Sequence, residues 1–582
     1  MSMQEEILSS QIHIWVDGME LQAGDMNAVA EVVVEQQVHL PGMFTIRLFD
    51  KDFTYLDGGL FDLTKEVEIK AELTTGSQVS LIKGEVTALE PNLEEGMLAE
   101  LVVRGFDKSH RLYRETKSRA FLNVKDSDLA SQFAGSAGLL SQVETTSTVY
   151  DHIFQHNQSD MALLMQRAWR IGYECFVSEG KLYFRKPVTS GSGLQLTWGK
   201  DLVSIFPRMT LAEQVDEVIV RGWDPEAQQA IVGRATNGRL YPANGESKNG
   251  ASWASTFGVG KRIIVDQPVV SQAEADALAQ ARLDEVSGGF IEAEGTAYRR
   301  PDIKAGMLVE LKNVGTRLSG NYLVTSATHV FNPEGLNTRF TVRGARTGSL
   351  VEQMNGQEPL QRWPGVVTAV VTNTDDPNDW GRVKVKYPWM TEEAESDWAR
   401  VVSMGGGPNA GLSATPEVGD EVAVAFEHGD FNRPFVLGGL WNGQHAIPAE
   451  VSGGGTGERP LVRSWHSRTG HFMAMHDNAD NKVQIVTAAG HIIVFDDANK
   501  KVEVSTSGGH KLILDDQGKK AEVSSSGGHK ITLDDNGRKV SIESSGDIQI
   551  KSTANLKLEA GGMMDIKASG PVNIKGALVN LN

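Results

Sequence analysis

Four histidines recur at one repeat position, His471, His491, His510 and His529. If three such chains stood side by side, each level would bring three imidazoles together, the donor type that transition metals favour. These residues are therefore a candidate axial metal ladder. One histidine per chain and level, with no second ligand type, fits a corner residue hydrogen-bonded to a neighbouring backbone carbonyl better, so neither metal nor cofactor is expected. The turns Asp515-Asp516-Gln517-Gly518 and Asp534-Asp535-Asn536-Gly537 look superficially like calcium loops. They lack the distant bidentate glutamate and flanking helices of an EF-hand. Ordinary hairpin-turn chemistry explains Asp, Asn and Gly there.

Other chemistry is sparse. The chain has no H-E-x-x-H metalloprotease motif and no G-x-S-x-G nucleophile elbow. The run Gly258-Val259-Gly260-Lys261-Arg262 echoes a phosphate loop, but lacks the earlier glycine at the required spacing and a Ser or Thr after the lysine. The one cysteine, Cys175, lies in a predicted strand and reads as core. Carboxylates are too abundant for spacing to pick out a glycosidase pair. No catalytic residue is assigned, and the chain is not expected to be an enzyme.

The elements carrying the histidines are repeats. Gly490-His491, Gly509-His510 and Gly528-His529 open successive units of 19 residues, with an earlier copy at Gly470-His471 carrying one extra residue in its turn. Each unit reads as strand, polar turn, strand. Leu512 and Leu514 share one parity, as do Ile531 and Leu533, which predicts hairpins with one buried face. The period then shortens to eight, in the pairs Ile548/Ile550, Leu556/Leu558, Met564/Ile566 and Val572/Ile574. One octad is too short to bury its own apolar side, and stacked octads leave an edge open. No capping sequence follows them. Three intertwined chains would enclose these twelve residues as a common core.

Composition supports a β-rich assembly of several domains, at roughly 150 residues per domain. The 582 residues include 40% hydrophobic residues, 61 glycines and 19 prolines, which favours turn-rich β structure over disorder. A net charge of −19 disfavours nucleic acid or an anionic membrane as the main partner. A single cysteine suits a reducing compartment. The polar start shows no secretion signal, and no apolar run reaches membrane-spanning length.

Between residues 360 and 445 lies a compact all-β segment whose alternating strands fit a five-stranded OB-type barrel. Its loops are crowded by Asp375, Asp376, Asp379, Glu392, Glu393 and Glu395, unlike a strand-binding OB groove. The strings Asp376-Pro377-x-x-x-Gly381-Arg382-Val383-Lys384-Val385 and Val418-Gly419-Asp420-Glu421-Val422, with Arg433-Pro434-x-x-Leu437-Gly438, resemble the barrel of the VgrG family. VgrG proteins are spikes of type VI secretion systems and phage-like contractile injection particles. Their order of hub, barrel and needle accounts for essentially the whole sequence.

The first 350 residues show an internal duplication. Val86-Thr87-Ala88 precedes Glu95-Gly96 and Arg104-Gly105 as Val324-Thr325-Ser326 precedes Glu334-Gly335 and Arg343-Gly344, with the paired landmarks nine residues apart in each copy. Lys65 to Lys70 matches Met307 to Lys312 in character. Two similar β-barrels per chain follow, hence six in a trimer, which the resemblance links to seating a sixfold tube. Between them Ser159-Asp160 reads as an N-cap, Leu163, Leu164, Arg167, Ala168 and Ile171 as a helical stripe ending near Gly172, and the next residues as a hairpin. A second helix is predicted over 272–286 from Ala275, Leu278, Ala279 and Leu283.

The expected fold is mainly β, with two hub β-barrels bearing small α/β inserts, an OB-type barrel and a C-terminal intertwined trimeric β-helix needle. Expected boundaries are 1–110 and 201–350 for the barrels, 111–200 for the insert between them, 360–445 for the OB fold, 446–468 for a linker and 469–582 for the needle. The resemblance implies a homotrimeric spike that seats an inner-tube or tube-initiator protein, contacts baseplate proteins and pierces a target membrane mechanically. It also implies a PAAR-type tip protein docked at Val579, Asn580, Leu581 and Asn582, toxin effectors as cargo, and assembly in the bacterial cytoplasm before export. The alternatives are a trimeric phage-tail fibre binding surface glycans and a cell-wall hydrolase.

Overall fold

The computed structural model describes residues 11–95, 98–342, 362–451 and 459–581. Gly96, Arg343, Gly344 and Asn582 lie outside the described residues, as does part of the expected linker. The chain divides into two compact units, 1–440 and 441–582.

In the first unit the duplication reappears as strand order. The first copy runs Val29–Gln37, Leu40–Phe49, Leu98–Asp107, Gln78–Glu94, Glu66–Glu72, Ile12–Val16 across the sheet. The second runs Leu202–Met209, Ile291–Tyr298, Gly335–Val342, Ser326–Asn332 in the same sheet, and continues as Gly320–Leu323, Leu308–Lys312, Leu194–Thr197 in a neighbouring one. The single 17-residue strand Gln78–Glu94 thus corresponds to two short strands separated at Val324 and Thr325. There the chain turns away, because Val324 N–H bonds to Met307 O while Thr325 N–H bonds to Thr341 O. The last pairs differ too: Ile12–Val16 is antiparallel to its neighbour, Leu194–Thr197 parallel.

The two copies are less separate than the sequence suggests. Ser326–Asn332 of the second pairs with Val29–Gln37 of the first, which makes one 11-stranded sheet. Each copy keeps its own core, around Phe44, Ile46 and Ile69 in the first and Val309, Tyr322 and Phe340 in the second.

The expected helix is Asp160–Ile171, with Ser159 Oγ accepting from Ala162 N–H at 3.2 Å and Gly172 at φ +71° ending it. Gly172 is also a point of close approach, since a Cβ there would lie 3.0 Å from the Ala281 methyl. Ala281 belongs to the second helix, Gln272–Gly288, whose Ala275, Leu278, Ala279 and Leu283 are buried. Arg170 joins the two helices through a buried 2.7 Å ion pair with Glu274. Asp160 is buried yet satisfied by Lys117 (2.9 Å), Arg119 (2.7 Å) and Gln155 (2.9 Å). Cys175 is fully buried in Glu174–Ser178, and burial pushes its thiol up to about 12.

The OB segment is a five-stranded sheet in the order Lys384–Lys386, Val366–Asn373, Glu421–Phe426, Pro434–Gly439, Arg400–Val401. The bridges Val383–Ala399 and Lys386–Glu395 join its two ends and close the barrel. Its core takes a residue from the insert: Phe154 packs 5.0 Å from the Phe431 ring, and its N–H donates to Asn432 Oδ1 at 2.7 Å. Asp376 explains the Asp-Pro-x-x-x-Gly-Arg string. Its carboxylate accepts from the backbone of Asn378, Trp380 and Arg382 and from the Arg382 guanidinium at 2.6 Å. The Arg382 side chain, then these N–H groups, hold the carboxyl well below the usual range.

Because Asp376 has its folded pKa depressed, its contribution is present above the unfolded value of about 3.9 and lost as pH falls below it. Asp376→Asn should therefore destabilise the barrel by about 2 kcal/mol at neutral pH, the scale of hydrogen bonds to a charged group. The deficit should shrink below about pH 4, as read by urea unfolding followed through tryptophan fluorescence.

Candidate functional site: an uncovered apolar face on the C-terminal sheet

In the second unit, nine strands of five residues each form an antiparallel meander from Val462–His466 to Lys539–Glu543. Two kinds of corner set its 19-residue period. At one, Thr506 N–H donates to His510 O, His510 N–H donates back to Thr506 Oγ1 at 3.2 Å, and Gly509 takes φ +86°. Ser467, Thr487 and Ser525 bond His471, His491 and His529 in the same way. The sequence therefore needs Ser or Thr, glycine and histidine at fixed offsets.

At the other corner Gly518 N–H donates to Asp515 Oδ1, and Gly537 N–H to Asp534 Oδ1. The residues with positive φ there are not glycines but Asn481, Lys500, Lys519 and Arg538, 19 residues apart. Each turn is hydrogen-bonded to the one before it, Asp516 N–H to Lys500 O and Asp535 N–H to Lys519 O. The acidic turns are thus built by backbone capping.

The histidine rings face an unexpected partner. His471 Nδ1 accepts from Ala488 N–H at 3.1 Å and His491 Nδ1 from Ser507 N–H at 3.3 Å, while His529 Nδ1 bonds Ser544 Oγ at 2.7 Å. The His471 and His491 rings receive a backbone proton from the next corner, and His529 bonds a hydroxyl there, instead of a ring nitrogen donating to a carbonyl, which corrects the sequence-based expectation. A corner peptide turns its N–H, not its C=O, towards the preceding histidine. Among the described residues no group of three or more His, Cys, Asp or Glu could hold a metal within this one chain.

Strand register puts the apolar side chains on one face. Trp465, Met473 and Ile485 stand opposite one another in sequence, and the ladder continues through Val504, Leu512, Val523 and Ile531 to Ile542. A second ladder passes through Val483, Phe495, Val502, Leu514, Ala521 and Leu533 to Val540. The other face carries apolar residues such as Val462, Ala474 and Val494 in its first four strands and is mainly polar from Lys501 onward, with Lys501 and Lys511 at 2.8 and 3.2 Å from Glu503, and Lys530 at 2.6 Å from Glu522. The Lys501 hydrogen bond is the main force lowering the Glu503 carboxyl.

Within the second unit, nothing among the described residues covers the apolar face. Leu512, Leu514, Ile531 and Leu533 are 42–48% exposed. The eight octad residues Ile548, Ile550, Leu556, Leu558, Met564, Ile566, Val572 and Ile574 are 49–68% exposed. In the single chain these twelve residues are therefore surface; the core expected for them is one that three intertwined chains would enclose. The physical reason is that one layer of strands and octads has nothing to lay over its own apolar side. An apolar surface of this extent on a folded chain marks an interaction site, because complete burial of each such side chain is worth about 1.5–3 kcal/mol. Sequence reasoning began the core at Leu512 and missed Trp465, Met473, Met475 and Phe495, although the same parity extends through them.

The octads do not form strands in the single chain. Residues 544–581 show only turns and bends, with no ladder among the described residues. Their corners are nevertheless set. Ser544 Oγ accepts from Gly546 N–H and donates to Asp547 O, and Ser552 repeats this eight residues on with Ala554 and Asn555. Between the corners the apolar residues alternate with polar ones, as in Lys557 and Glu559 beside Leu556 and Leu558. Val579 and Leu581 are exposed.

Residues 6–332, more than half of the chain, match the family described as the Alg8 N-terminal domain. Residues 367–441 match the type VI secretion system/phage-baseplate injector OB domain. Spike protein VgrG1c of the Pseudomonas aeruginosa type VI secretion system is 32% identical over 199 residues. The chain belongs to the family described as the Alg8 N-terminal domain, and it is similar in sequence to VgrG spike proteins. The match to VgrG1c covers 30% of this chain and 27% of the relative, so the chain spans about a quarter of that protein's length. A component of the Escherichia coli type VI secretion system superposes with a TM-score of 0.48 at 13% identity, covering 73% of this chain and 99% of that one. A chain from the structure of a Francisella PdpA–VgrG complex gives 0.47 at 9% identity, with 92% of this chain and 88% of that one covered.

Gly509→Ala places a Cβ 3.2 Å from Ser526 Cβ in a left-handed residue, and should cost about 1 kcal/mol. Thr506→Ala should cost a similar amount by orphaning the His510 N–H. Limited proteolysis should then cut faster near Ser507 in both variants than in the parent chain.

Proposed function

We propose that this chain is the homotrimeric spike of a contractile injection system and that its role is mechanical, not catalytic. The observation that carries this reading is the uncovered pair of apolar ladders, continued by octads that have corners and alternation but no strand partners. A second and third copy supply both missing components, a cover for the face and backbone partners for the octads. Three amphipathic sheets with their apolar faces inward form a prism whose polar outer faces carry the lysine–glutamate pairs. Bending such a shaft breaks many backbone hydrogen bonds together, which suits it to transmit axial force.

In this reading the duplicated N-terminal region seats an inner-tube or tube-initiator protein and meets baseplate proteins. The exposed apolar residues Val579 and Leu581 offer a seat to a PAAR-type tip protein, with toxin effectors carried on the tip or in the tube. The target membrane is pierced mechanically, nucleic acid is not a partner, and the particle assembles in the bacterial cytoplasm before export.

Light scattering of the full chain should give three times its 63.2 kDa mass; a monomer refutes the spike. Leu514→Glu combined with Leu533→Glu changes only side chains that are already exposed in one chain. It should nevertheless convert trimer to monomer, whereas Glu503→Gln with Glu522→Gln on the polar face should leave the trimer intact.

A further inference from the structure

The helical insert of the second copy includes a small sheet whose two edges differ. Its strands run in the order Gln229–Ala235, Glu217–Asp224, Lys261–Ile264. Helix Gln272–Gly288 covers one face, over a core of Val218, Val220, Ile231 and Ile264. The same helix caps the edge at Gln229–Ala235. Gln272 Nε2 donates to Val232 O at 2.9 Å, and Arg234 N–H donates to Asp276 Oδ1 at 3.4 Å. Just beyond the strand, Gln280 Nε2 donates to Asn237 O at 2.9 Å. Side chains bonded along an edge exclude an added strand. The opposite edge, Lys261–Ile264, pairs in parallel with Glu217–Asp224 on one side. On its other side it has no strand partner among the described residues.

Beside this open edge the face away from the helix is apolar. Ile263 stands in register with Ile219, one residue out of phase with the buried Ile264. It is 56% exposed, and Val265 follows at 57%. Trp223 on the central strand, and Phe257 and Val259 in the approach to the edge, are exposed as well. That approach is the run that echoes a phosphate loop, but Gly260 N–H already donates to the Asp216 carboxylate at 2.7 Å. Charge on the face has one sign in excess. Lys261 and Arg234 each stand 2.8 Å from Glu217, and Arg221 is exposed on the same parity. Three cations thus share one carboxylate, on a chain whose net charge is −19. Asp216 and Asp224, at either end of the central strand, have the opposite parity and cap backbone N–H groups. Asp266 is paired with Arg362 at 3.0 Å.

We infer that Lys261–Ile264 is a docking edge for an extended acidic segment of another protein, which adds to this sheet as a fourth strand. Main-chain hydrogen bonds to the open row supply affinity, and alternate side chains supply selectivity. On the exposed face, apolar side chains of the added strand meet Ile263 and Val265, and its carboxylates meet the excess cations. Lysine is a residue type that guards open edges, but Lys261 is held against Glu217 and does not repel an acidic strand. The site is complete within one protomer, so the inference stands apart from the trimer proposed above.

The test is selection of a random dodecapeptide library, displayed on phage, against the immobilised full chain. It is repeated on Ile263→Glu combined with Val265→Glu, which changes only exposed side chains. Sequences enriched on the parent and lost on the variant should alternate apolar residues with Asp or Glu. Neutral or basic sequences behaving in that way, or no sequence that depends on the two residues, overturn the proposal. The leading acidic peptide, synthesised, should bind Arg221→Gln combined with Arg234→Gln roughly tenfold more weakly than the parent; equal affinity refutes the charge preference. Hydrogen exchange on the unsubstituted protein gives a readout free of folding defects. With that peptide bound, the fast-exchanging amides of 261–264 should slow roughly tenfold or more, while the capped strand Gln229–Ala235 stays unchanged. Protection elsewhere overturns docking at this edge. So does a chain in which 261–264 hold no fast-exchanging amide before the peptide is added, because the edge is then already filled.

Discussion

A β-sheet with one apolar face can persist in water only if something dry lies against that face. In most domains the cover is a helix or a second sheet from the same chain. Here the C-terminal meander brings no cover: its strands follow one another along a single layer, and the octads after it have no strand partner among the described residues. Two apolar ladders therefore run across nine strands in the open. Other features of this unit serve that arrangement. Short strands keep the ladders two residues wide, and the lysine–glutamate pairs mark the opposite face as the one meant for solvent.

The corners make the ladders line up. A slip of one residue in any strand would move its apolar pair to the polar face, so nine strands in register need corners of fixed geometry. The Ser/Thr–Gly–His corner achieves this with a reciprocal backbone and hydroxyl pair, and its histidine ring reaches on to the next corner. The Asp corner achieves it by capping its own turn and stacking on the preceding one. The repeated histidine is thus a register device, which accounts for its strict spacing without a ligand.

The N-terminal unit meets a different demand with a related solution. Two copies of one strand order share a sheet, and the second copy is interrupted where the first is continuous. The interruption at Val324 and Thr325 lets the second copy turn its outer strands into a separate sheet while its inner strands stay with the first copy. The insert is then fixed by buried ion pairs and by Phe154, which leaves its own core to enter that of the OB barrel.

Periodicity made the C-terminal repeats, their parity and their lack of a partner legible in the sequence, because alternation in a strand maps directly onto the two faces of a sheet. The two helices were legible for the same reason, their stripes of small and apolar residues at helical spacing. The duplication was visible as paired landmarks in 86–105 and 324–344. Only the tertiary structure decided that the two copies share one sheet, that the left-handed turn residues are Lys519 and Arg538 beside glycines, and that the His471 and His491 rings accept backbone protons. Those features depend on which edges and peptides meet across long separations, and alternation along one strand carries no record of its neighbour. The uncovered face lies between the two. Its residues, from Leu512 to octad members such as Ile550 and Ile566, were readable from the sequence, but the absence of a cover among the described residues of the second unit shows only with its strands placed.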